Sequence, residues 1–354
     1  MAFYFADEQR LEYDDKIKYN TADVNSDCIA IHTKKGDIMR EVTIFQGLFP
    51  ILCLITVIGL ILLPTIFVLA KVQKDVVSGN DTSVYNKGLA LSDLGNYTGA
   101  IVYYDKALAI NPHDVNALTH KGIALDNLGN YTGATVYYDK ALAIDPNSVL
   151  ALNGKGHALN ELGNYTQAIP YLDKALAIDP HDIKALDSKG WSLDNLGNYS
   201  GAIVYYDEAL AVDPHYVYAL NNKGIALDNL GNYSGSVLFF DKTLAIDPHD
   251  IKALGHKGAA LDNLGNHTGA IVYYDKALAG NPKYVFALDG KGTALVKSGR
   301  YKEAIIVLDK ALTTNPKNVL GLYGKGTALV KLGRYNEAII VLDKALTIIQ
   351  RSLG

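Results

Sequence analysis

Cysteine and clustered positive charge are both scarce in this sequence of 354 residues. Its two cysteines, Cys28 and Cys53, are too few for a disulfide framework or a thiolate metal site. The formal net charge is -4, and Lys and Arg are spread evenly along the chain, so the basic footprint of a nucleic-acid-binding protein is missing. We therefore expect no nucleic-acid partner, and stability has to come from packing.

Catalytic motifs are missing as well. No Gly-rich phosphate loop or nucleophile elbow follows a strand, as the chemistry of those motifs requires. Equivalent histidines in stacked repeats would lie too far apart to share one metal ion. The sequence therefore predicts no enzymatic activity, no cofactor and no bound metal. The histidines concerned recur at one position of the repeat described below: His113, His181, His215 and His249.

One long apolar run extends from Gly47 to Ala70, GLFPILCLITVIGLILLPTIFVLA, without a charged side chain. As a helix it would reach roughly 36 Å, which exceeds the bilayer's hydrocarbon core of about 30 Å. A buried core helix is disfavoured because every face is apolar. A cleaved signal peptide is disfavoured because the polar residues 1–46 precede the run. We predict a single transmembrane helix at 47–70 and a lipid bilayer as its partner.

The basic residues that flank this run indicate its orientation. Three precede it and two follow it, a bias that favours a polar N-terminal tail (residues 1–46) in the cytoplasm and the rest of the chain outside. The alternative is a C-terminal part that lies in the cytoplasm, tethered to the inner leaflet. The flanking residues are Lys34, Lys35, Arg40, Lys71 and Lys74.

After a linker of residues 71–80, the chain repeats itself with a period of 34 residues. In each unit, apolar and small residues follow the i, i+3, i+4, i+7 spacing of two amphipathic helices. A turn at Gly95 separates the first two helices, and Asn111-Pro112 ends the second, because Pro cannot continue a helix. Residues 81–352 are therefore predicted to form eight helical hairpins.

This pattern resembles the tetratricopeptide repeat (TPR) family, which has small residues at positions 8, 20 and 27, an aromatic at 24 and Pro at 32. In the second unit these are Gly122, Ala134, Tyr138, Ala141 and Pro146. The resemblance implies an all-α, right-handed superhelical solenoid of eight helix-turn-helix units whose first helices line a concave groove. No hairpin can bury its apolar stripe alone, so neighbours have to stack.

Two features depart from the family pattern. The usually apolar seventh position is Lys in every unit, from Lys87 to Lys325, and we expect its stem to lie along the core edge while its ammonium reaches water. In the sixth unit Gly280 replaces the isoleucine of Ile110 or Ile144, which removes apolar packing and adds backbone freedom. A soft joint is therefore expected near residue 280.

The resemblance places the ligand surface on positions 2, 5, 9, 12 and 13 of each first helix. Carboxylates and amides dominate there, and the last two units change its charge by placing Lys297 and Lys331 at position 13. We predict a protein or peptide partner that offers a polar or basic segment; the alternative is a solvated surface copied with each duplicated unit. The predicted groove residues are Asp126, Asn127, His157, Asn160, Glu161, Trp191, Asp194, Asn195, Asp228, Asn229, Asp262 and Asn263.

The recurring hexapeptide GNYTGA contains an acceptor motif for N-glycosylation. Thr98 is expected just ahead of the second helix, where its hydroxyl would cap that helix, but capping by Thr leaves the asparagine unexplained. These asparagines are therefore candidate glycosylation sites, with duplication of one unit as the alternative reason for their number: Asn80, Asn96, Asn130, Asn164, Asn198, Asn232 and Asn266.

The sequence thus predicts a single-pass, membrane-anchored TPR scaffold that binds a protein segment. The alternative is a structural cell-surface spacer, carrying N-glycans, in which repeat number sets length and the groove is empty. Because no polar capping helix follows Leu346, Ile348, Ile349 and Leu353, self-association through the C-terminal end is also expected.

Overall fold

The computed structural model describes residues 81–353, which form sixteen helices and no strand within that range. The helices pair into eight hairpins, with odd numbers for first helices and even numbers for second helices. This confirms the predicted all-helical solenoid of eight repeats. The helices are α1 (Asp81–Asp93), α2 (Tyr97–Ile110), α3 (Val115–Asn127), α4 (Tyr131–Ile144), α5 (Val149–Glu161), α6 (Tyr165–Ile178), α7 (Ile183–Asn195), α8 (Tyr199–Val212), α9 (Val217–Asn229), α10 (Tyr233–Ile246), α11 (Ile251–Asn263), α12 (His267–Gly280), α13 (Val285–Lys297), α14 (Tyr301–Thr314), α15 (Val319–Lys331) and α16 (Tyr335–Leu353).

The predicted transmembrane segment, residues 47–70, lies outside the described residues, as do the N-terminal tail, the linker and Asn80. From residue 81 to residue 353, no helix combines the length and the apolar character that a bilayer crossing needs.

A glycine in the left-handed conformation forms the turn inside every hairpin. Gly95 has a φ of 73°, and its seven equivalents have φ values between 74° and 81°. The Asn96 backbone N–H, one residue on, donates to the carbonyl oxygen of Leu91 at 2.8 Å and closes the end of α1. Because a Cβ is disfavoured at this φ, only glycine occupies the position without strain.

The asparagine after this glycine caps the second helix. Asn96 is the N-cap residue of α2, and its Oδ1 accepts a hydrogen bond from the Gly99 N–H at 2.9 Å. The expectation that Thr98 stands ahead of the helix is wrong, because Thr98 lies inside the first turn. Capping therefore accounts for the asparagine. The same bond is made by Asn130, Asn198, Asn232 and Asn266.

The residue three positions after the cap decides whether asparagine can make this bond. A Cβ at Gly99 would lie 2.8 Å from Nδ2 of the capping asparagine. Asn164, which is followed by Gln167 instead of glycine, makes no side-chain cap bond. In the seventh hairpin both positions change together, and Arg300 Nε donates to Glu303 Oε1 at 2.8 Å. The pairing of residue types shows that this asparagine has a local structural role.

Small residues let the aromatic residue at position 24 fill the space between neighbouring first helices. Tyr138 is fully buried, as are Ala134 and Ala141 on the same helix. A Cβ added at Gly122 would lie 2.6 Å from Cε1 of Tyr138, and one at Gly154 in the next hairpin would also collide with that ring. The positions that the sequence assigned to close helix packing therefore have that role.

The first helices lie on one side of the array and the second helices on the other. Consecutive first helices contact each other, as do the second helix of each hairpin and the first helix of the next. Within residues 81–353, consecutive second helices make no such contact. The first helices therefore approach more closely and form the inner wall of the solenoid.

The lysine at position 7 fastens each hairpin to the one before it. The Lys121 ammonium donates to the Asp105 carboxylate of the preceding hairpin and, at 2.7 Å, to the Tyr137 hydroxyl. It also lies 4.1 Å from the centre of the Tyr137 ring. The expectation that this ammonium simply reaches water is wrong. The other junctions carry Lys155–Asp139, Lys189–Asp173, Lys223–Asp207, Lys257–Asp241, Lys291–Asp275 and Lys325–Asp309.

Gly280, where a soft joint was predicted, is the last residue of α12. A Cβ there would lie 3.0 Å from Cγ1 of Ile251, so the missing side chain is one that would pack on this isoleucine. A cluster of buried residues nevertheless extends across this position, from Leu254 to Ala328. Local softness at Gly280 stays a prediction.

Two buried hydroxyls mark the fifth hairpin. Ser236 and Thr243 are fully buried at positions where the other seven hairpins have alanine. Neither hydroxyl has a hydrogen-bond partner in the described part of the chain. A buried polar group without a partner destabilises the fold, so this hairpin carries a local defect.

Replacing either residue by alanine is expected to raise the free energy of unfolding by about 1 kcal/mol, and the double variant by about 2 kcal/mol, because a desolvated hydroxyl is removed from a site that suits alanine. Urea unfolding followed by circular dichroism measures this. Thr313→Ala is the control, because Thr313 is exposed and its hydroxyl donates to the Asp309 carbonyl at 2.8 Å. A destabilised double variant would mean that the two hydroxyls are satisfied, for example by water.

Candidate functional site

Five polar residues, one from each of five consecutive first helices, form a continuous strip on the inner wall. They come from positions 12, 9, 5, 6 and 2 of α3, α5, α7, α9 and α11. We call them the central polar strip: Asp126, His157, Asp187, Asn222 and Lys252.

One end of the strip is held by a histidine between two carboxylates. His157 Nδ1 lies 3.0 Å from Oδ2 of Asp126. His157 Nε2 lies 3.8 Å from Oε1 of Glu161, one turn along the same helix. The hydrogen bond that His157 donates to Asp126, together with the nearby charges of Asp126, Glu161 and Asp187, outweighs burial and raises the pKa of His157. His157 therefore holds a proton more readily here than in water.

The other end of the strip is centred on Asp187. The Asn222 amide donates to Oδ1 of Asp187 at 3.1 Å, and the Lys252 ammonium donates to Oδ1 of Asn222 at 3.5 Å. Burial raises the pKa of Asp187 to about 6, although Asn222, Lys252 and His157 all act in the opposite direction. The charge of Asp187 is therefore incompletely compensated by this chain.

Two further carboxylates of the inner wall, Asp194 and Asp228, also have a pKa raised by burial. Burial raises the pKa of Asp194, despite the Asn229 amide that faces it, and likewise that of Asp228 beside Asn263. In both, Oδ1 is buried and has no hydrogen-bond partner among residues 81–353. Asp194 and Asp228 thus each face an asparagine of the following hairpin, and no ion pair within residues 81–353 involves either carboxylate.

Two predicted groove residues are already fully used inside the protein. The buried Asn160 donates to the Ser188 carbonyl at 2.9 Å, and its Oδ1 accepts from the Ser192 hydroxyl at 2.7 Å. Asp262 is also buried and lies 2.6 Å from His267 Nδ1 and 2.7 Å from Lys297 Nζ. The charge change that Lys297 was expected to bring to the groove is therefore largely neutralised by Asp262.

The amides predicted at position 13 are exposed. Those of Asn127 and Asn195 donate back to the carbonyls of Ile123 and Trp191 in their own helices, each at 2.9 Å. Asn229 and Asn263 instead face the carboxylates of the preceding hairpin. These side chains line the wall, but part of their bonding capacity is already in use.

Aromatic side chains accompany the carboxylates. Trp191, the single tryptophan, is half-buried with its ring centre 6.3 Å from that of Tyr165. Further along, His256 lies between Phe240 and Phe286, with ring centres at 5.9 and 4.6 Å. Burial lowers the pKa of His256 to about 4, so this histidine is neutral at physiological pH. The wall thus combines charged and apolar areas.

The sequence-based prediction missed Asp187, Asn222 and Lys252. Asp187 and Lys252 occupy positions 5 and 2 of the predicted stripe, but no repeated residue type drew attention to them. Asn222 is at position 6, outside that stripe. Each type recurs only once at its position, as Asp289 and Lys184, so a search of every charged residue on the stripe would have found Asp187 and Lys252.

The histidines that follow Pro lie in exposed loops between hairpins. Among residues 81–353, no three or more His, Cys, Asp or Glu side chains are grouped as metal ligands would be.

The six candidate glycosylation sites within the described residues are all exposed. At five of them Oδ1 accepts the capping hydrogen bond. Their modification stays a prediction.

The stacked two-helix repeats place the described part of the chain in the class of helical-repeat solenoids. Models of the tetratricopeptide repeat match residues 84–114, 115–148, 149–182 and 188–251. A model of subunit 3 of the anaphase-promoting complex, or cyclosome, matches residues 263–345. The chain is therefore a tetratricopeptide repeat protein, and such repeats typically serve as non-enzymatic scaffolds. No curated protein matches the chain significantly.

Solved structures share the fold at low sequence identity. A tetratricopeptide repeat protein from Parabacteroides merdae is 19% identical, with a TM-score of 0.56 over 70% of this chain and 98% of its own. The Cut9–Hcn1 hetero-tetramer of the anaphase-promoting complex is 18% identical, with a TM-score of 0.59 over 75% of this chain and 52% of the matched chain. PilW, a type IV pilus biogenesis factor, is 22% identical, with a TM-score of 0.55 over 58% of this chain and 96% of its own. These likenesses show the fold alone.

Proposed function

We propose that this protein is a membrane-anchored scaffold whose inner wall holds a polar or basic segment of a partner protein. One observation carries the proposal: Asp187, Asp194 and Asp228 are partly buried on the inner wall, and no ion pair within residues 81–353 involves them. Burial raises the pKa of all three.

A partner with basic side chains would supply the missing charge. An ammonium or guanidinium group favours the ionised carboxylate and forms charge-assisted hydrogen bonds with it. An acidic partner would add to the existing repulsion. The half-buried Trp191 lies three residues from Asp194 on the same helix and offers an apolar contact beside the charge. The wall therefore suits a segment that combines basic and apolar residues.

A role in protein assembly agrees with one solved structure that contains this fold. The hetero-tetramer of Cut9 and Hcn1 contains a solenoid of this type, and it is an assembly of different proteins. Its identity of 18% carries only the architecture to this chain.

The binding prediction is tested with two labelled peptides of equal length, one alternating Lys and Ala and one alternating Glu and Ala. We expect the basic peptide alone to bind and to change the fluorescence of Trp191. The triple variant D187N/D194N/D228N should bind it roughly tenfold more weakly, at about 0.5 kcal/mol for each screened charge pair.

The matched control is the triple variant D145N/D179N/D213N, which removes the same charge from the loops. Asn111 occupies the equivalent position of the first hairpin, and its Oδ1 accepts the same local bond, from the His113 N–H at 3.1 Å. This control should bind the basic peptide as the unmodified chain does. If both triple variants weaken binding equally, the net charge of the chain explains the attraction, and the proposal of a groove ligand is wrong.

Membrane anchoring and orientation belong to the same proposal and rest on the apolar run at 47–70. Protease treatment of sealed vesicles tests both: an external array is digested from the side that faces the outside of the cell, and a cytoplasmic array from the opposite side. Release of the chain by alkaline extraction would contradict a transmembrane helix.

The cell-surface spacer is the second candidate, favoured by the six exposed acceptor asparagines. It predicts a decrease in mass on enzymatic deglycosylation and no partner captured by a photo-crosslinker placed at Trp191. A discrete crosslinked partner supports the scaffold instead.

A further inference from the structure

The negative charge that the inner wall offers to a partner ends after the fifth hairpin. On α11 the position-12 carboxylate, Asp262, is buried and already paired with a histidine and a lysine. On α13 position 12 is Val296, and the carboxylate at position 5, Asp289, is buried with both oxygens accepting from the Asn318 amide. The carboxylates that carry the proposed function all precede these two helices: Asp187, Asp194 and Asp228.

Aromatic side chains line the wall beyond that point. Phe286, at position 2 of α13, is 40% exposed, and Tyr218, at the same position of α9, is 52% exposed. The ring of Phe286 reaches back over α11, where its centre lies 4.6 Å from that of His256 and its Cδ1 would lie 3.4 Å from a Cβ at Gly255. We call Tyr218, His256 and Phe286 the aromatic patch.

The aromatic patch does not suit a cation. Burial lowers the pKa of His256 to about 4, so this part of the wall disfavours positive charge. Lys252 of α11 comes between the two exposed aromatics in the order of the hairpins, and its exposed ammonium is in no ion pair among residues 81–353. A basic side chain of a partner would therefore meet a like charge here, whereas an apolar side chain would cover rings that now contact water.

We propose, on the basis of the proposed function, that the partner segment has two separate parts: basic residues that lie on α7 and α9, and one aromatic or large aliphatic residue that packs on Phe286. Three steps between neighbouring first helices separate α7, which carries Asp187, from α13. At ~8–10 Å for each step and ~3.3–3.6 Å for each residue of an extended chain, about eight residues connect the two parts.

Labelled peptides binding to the full-length chain in a non-ionic detergent test this spacing, with detergent alone as the blank. Each peptide carries the same Lys–Ala block and one Phe, placed about eight residues before the block, about eight residues after it, or directly beside it; a fourth has Ala in place of Phe. We expect one of the two widely spaced peptides to bind about tenfold more tightly than the peptide without Phe, because its ring gains an apolar contact.

Phe286→Ala should abolish that tenfold gain and leave the affinity for the peptide without Phe unchanged, which also shows that the variant is folded. The matched control is Ile306→Ala, which removes an exposed apolar side chain from the second helix of the same hairpin and should keep the gain. The peptide with Phe directly beside the lysines should bind both variants equally, because its ring does not reach residue 286.

Three results would overturn the two-part segment while leaving the proposed function intact: no gain from Phe at either wide spacing, a gain that persists in Phe286→Ala, or an equal loss for the closely spaced peptide in that variant. In each of these, the Lys–Ala block still binds and still depends on the three carboxylates. If no peptide binds at all, the proposed function is wrong, and this inference is wrong with it.

Discussion

Replacing Tyr206 by alanine is expected to lower the free energy of unfolding by about 3–5 kcal/mol. Tyr206 is fully buried, and Ala202 and Ala209 belong to the same buried cluster. A Cβ at Gly190 would lie 2.5 Å from Cε1 of Tyr206, so the helices already approach the ring as closely as they can. The neighbours cannot collapse into the space, and a cavity remains between two hairpins.

Tyr206→Phe is the matched control. The Tyr206 hydroxyl is buried without a hydrogen-bond partner in the part of the chain that the structure describes. Phe240 occupies the same position in the fifth hairpin and is fully buried. We expect this variant to be as stable as the unmodified chain, or more stable by up to about 1 kcal/mol.

Urea unfolding followed by circular dichroism distinguishes the two variants. Because each repeat is stabilised by its neighbours, Tyr206→Ala should also broaden the transition as the array separates into two parts. A loss below 1 kcal/mol for Tyr206→Ala would show that neighbouring hairpins do not depend on this contact, and the solenoid packing described above would then be wrong.

The free energy of unfolding should fall by roughly 3 kcal/mol between about pH 4 and pH 6 through Asp187 alone, at 1.36 kcal/mol for each unit of pKa change. The pKa of Asp187 rises from 3.8 to about 6 on folding, chiefly because of burial. The folded state therefore binds the proton more tightly than the unfolded state. Protonation stabilises the fold, and this stabilisation is lost as the pH rises through 6.

Asp187→Asn removes that dependence. The variant should be more stable than the unmodified chain at pH 7 and should approach it as the pH falls below 3.8, where the carboxylate becomes protonated in both states. The amide oxygen of the new residue can still accept the hydrogen bond from Asn222, so the local geometry is kept. Stability curves at several pH values, subtracted between the two proteins, isolate the contribution of Asp187 from that of the other carboxylates.

Asp179→Asn is the control, because it measures how the free energy of unfolding changes when one negative charge is removed from the surface. Asp179 is exposed and accepts only a local bond, from the His181 N–H at 3.1 Å, and Asn111 makes the same bond in the first hairpin. A difference curve for Asp187→Asn that coincides with that of Asp179→Asn would contradict a desolvated carboxylate at position 187. It would also weaken the case for a basic partner there.

Much of the fold could be predicted from the sequence, because residues with the same local structural role recur at the same position of each repeat. Gly95 and its equivalents indicate the turn, and Gly122, Ala134 and Ala141 indicate close packing. Two local assignments failed for physical reasons. Asn96, rather than Thr98, caps the second helix, because the helix begins at Tyr97, two residues earlier than expected. The position-7 lysine is paired, because its partner Asp105 comes from the preceding hairpin and is not adjacent in sequence.

The candidate site was predicted less well, because it is assembled between repeats. Position 12 of the first helix was identified, but its residues do not act alike: Asp194 and Asp228 lack a cation, whereas Asp262 is neutralised by His267 and Lys297. The sequence also offered no reason to connect Asp187 with Asn222, since the two lie in different hairpins. Membrane anchoring and glycosylation stay predictions from sequence motifs.

By itself, the amino-acid sequence determined the hairpin, its turn, its small-residue contacts and the number of units, because these depend on interactions within one 34-residue period that is present eight times. Only the tertiary structure decided which polar groups are satisfied, because stacking brings together side chains that are far apart in sequence and removes water from them unequally.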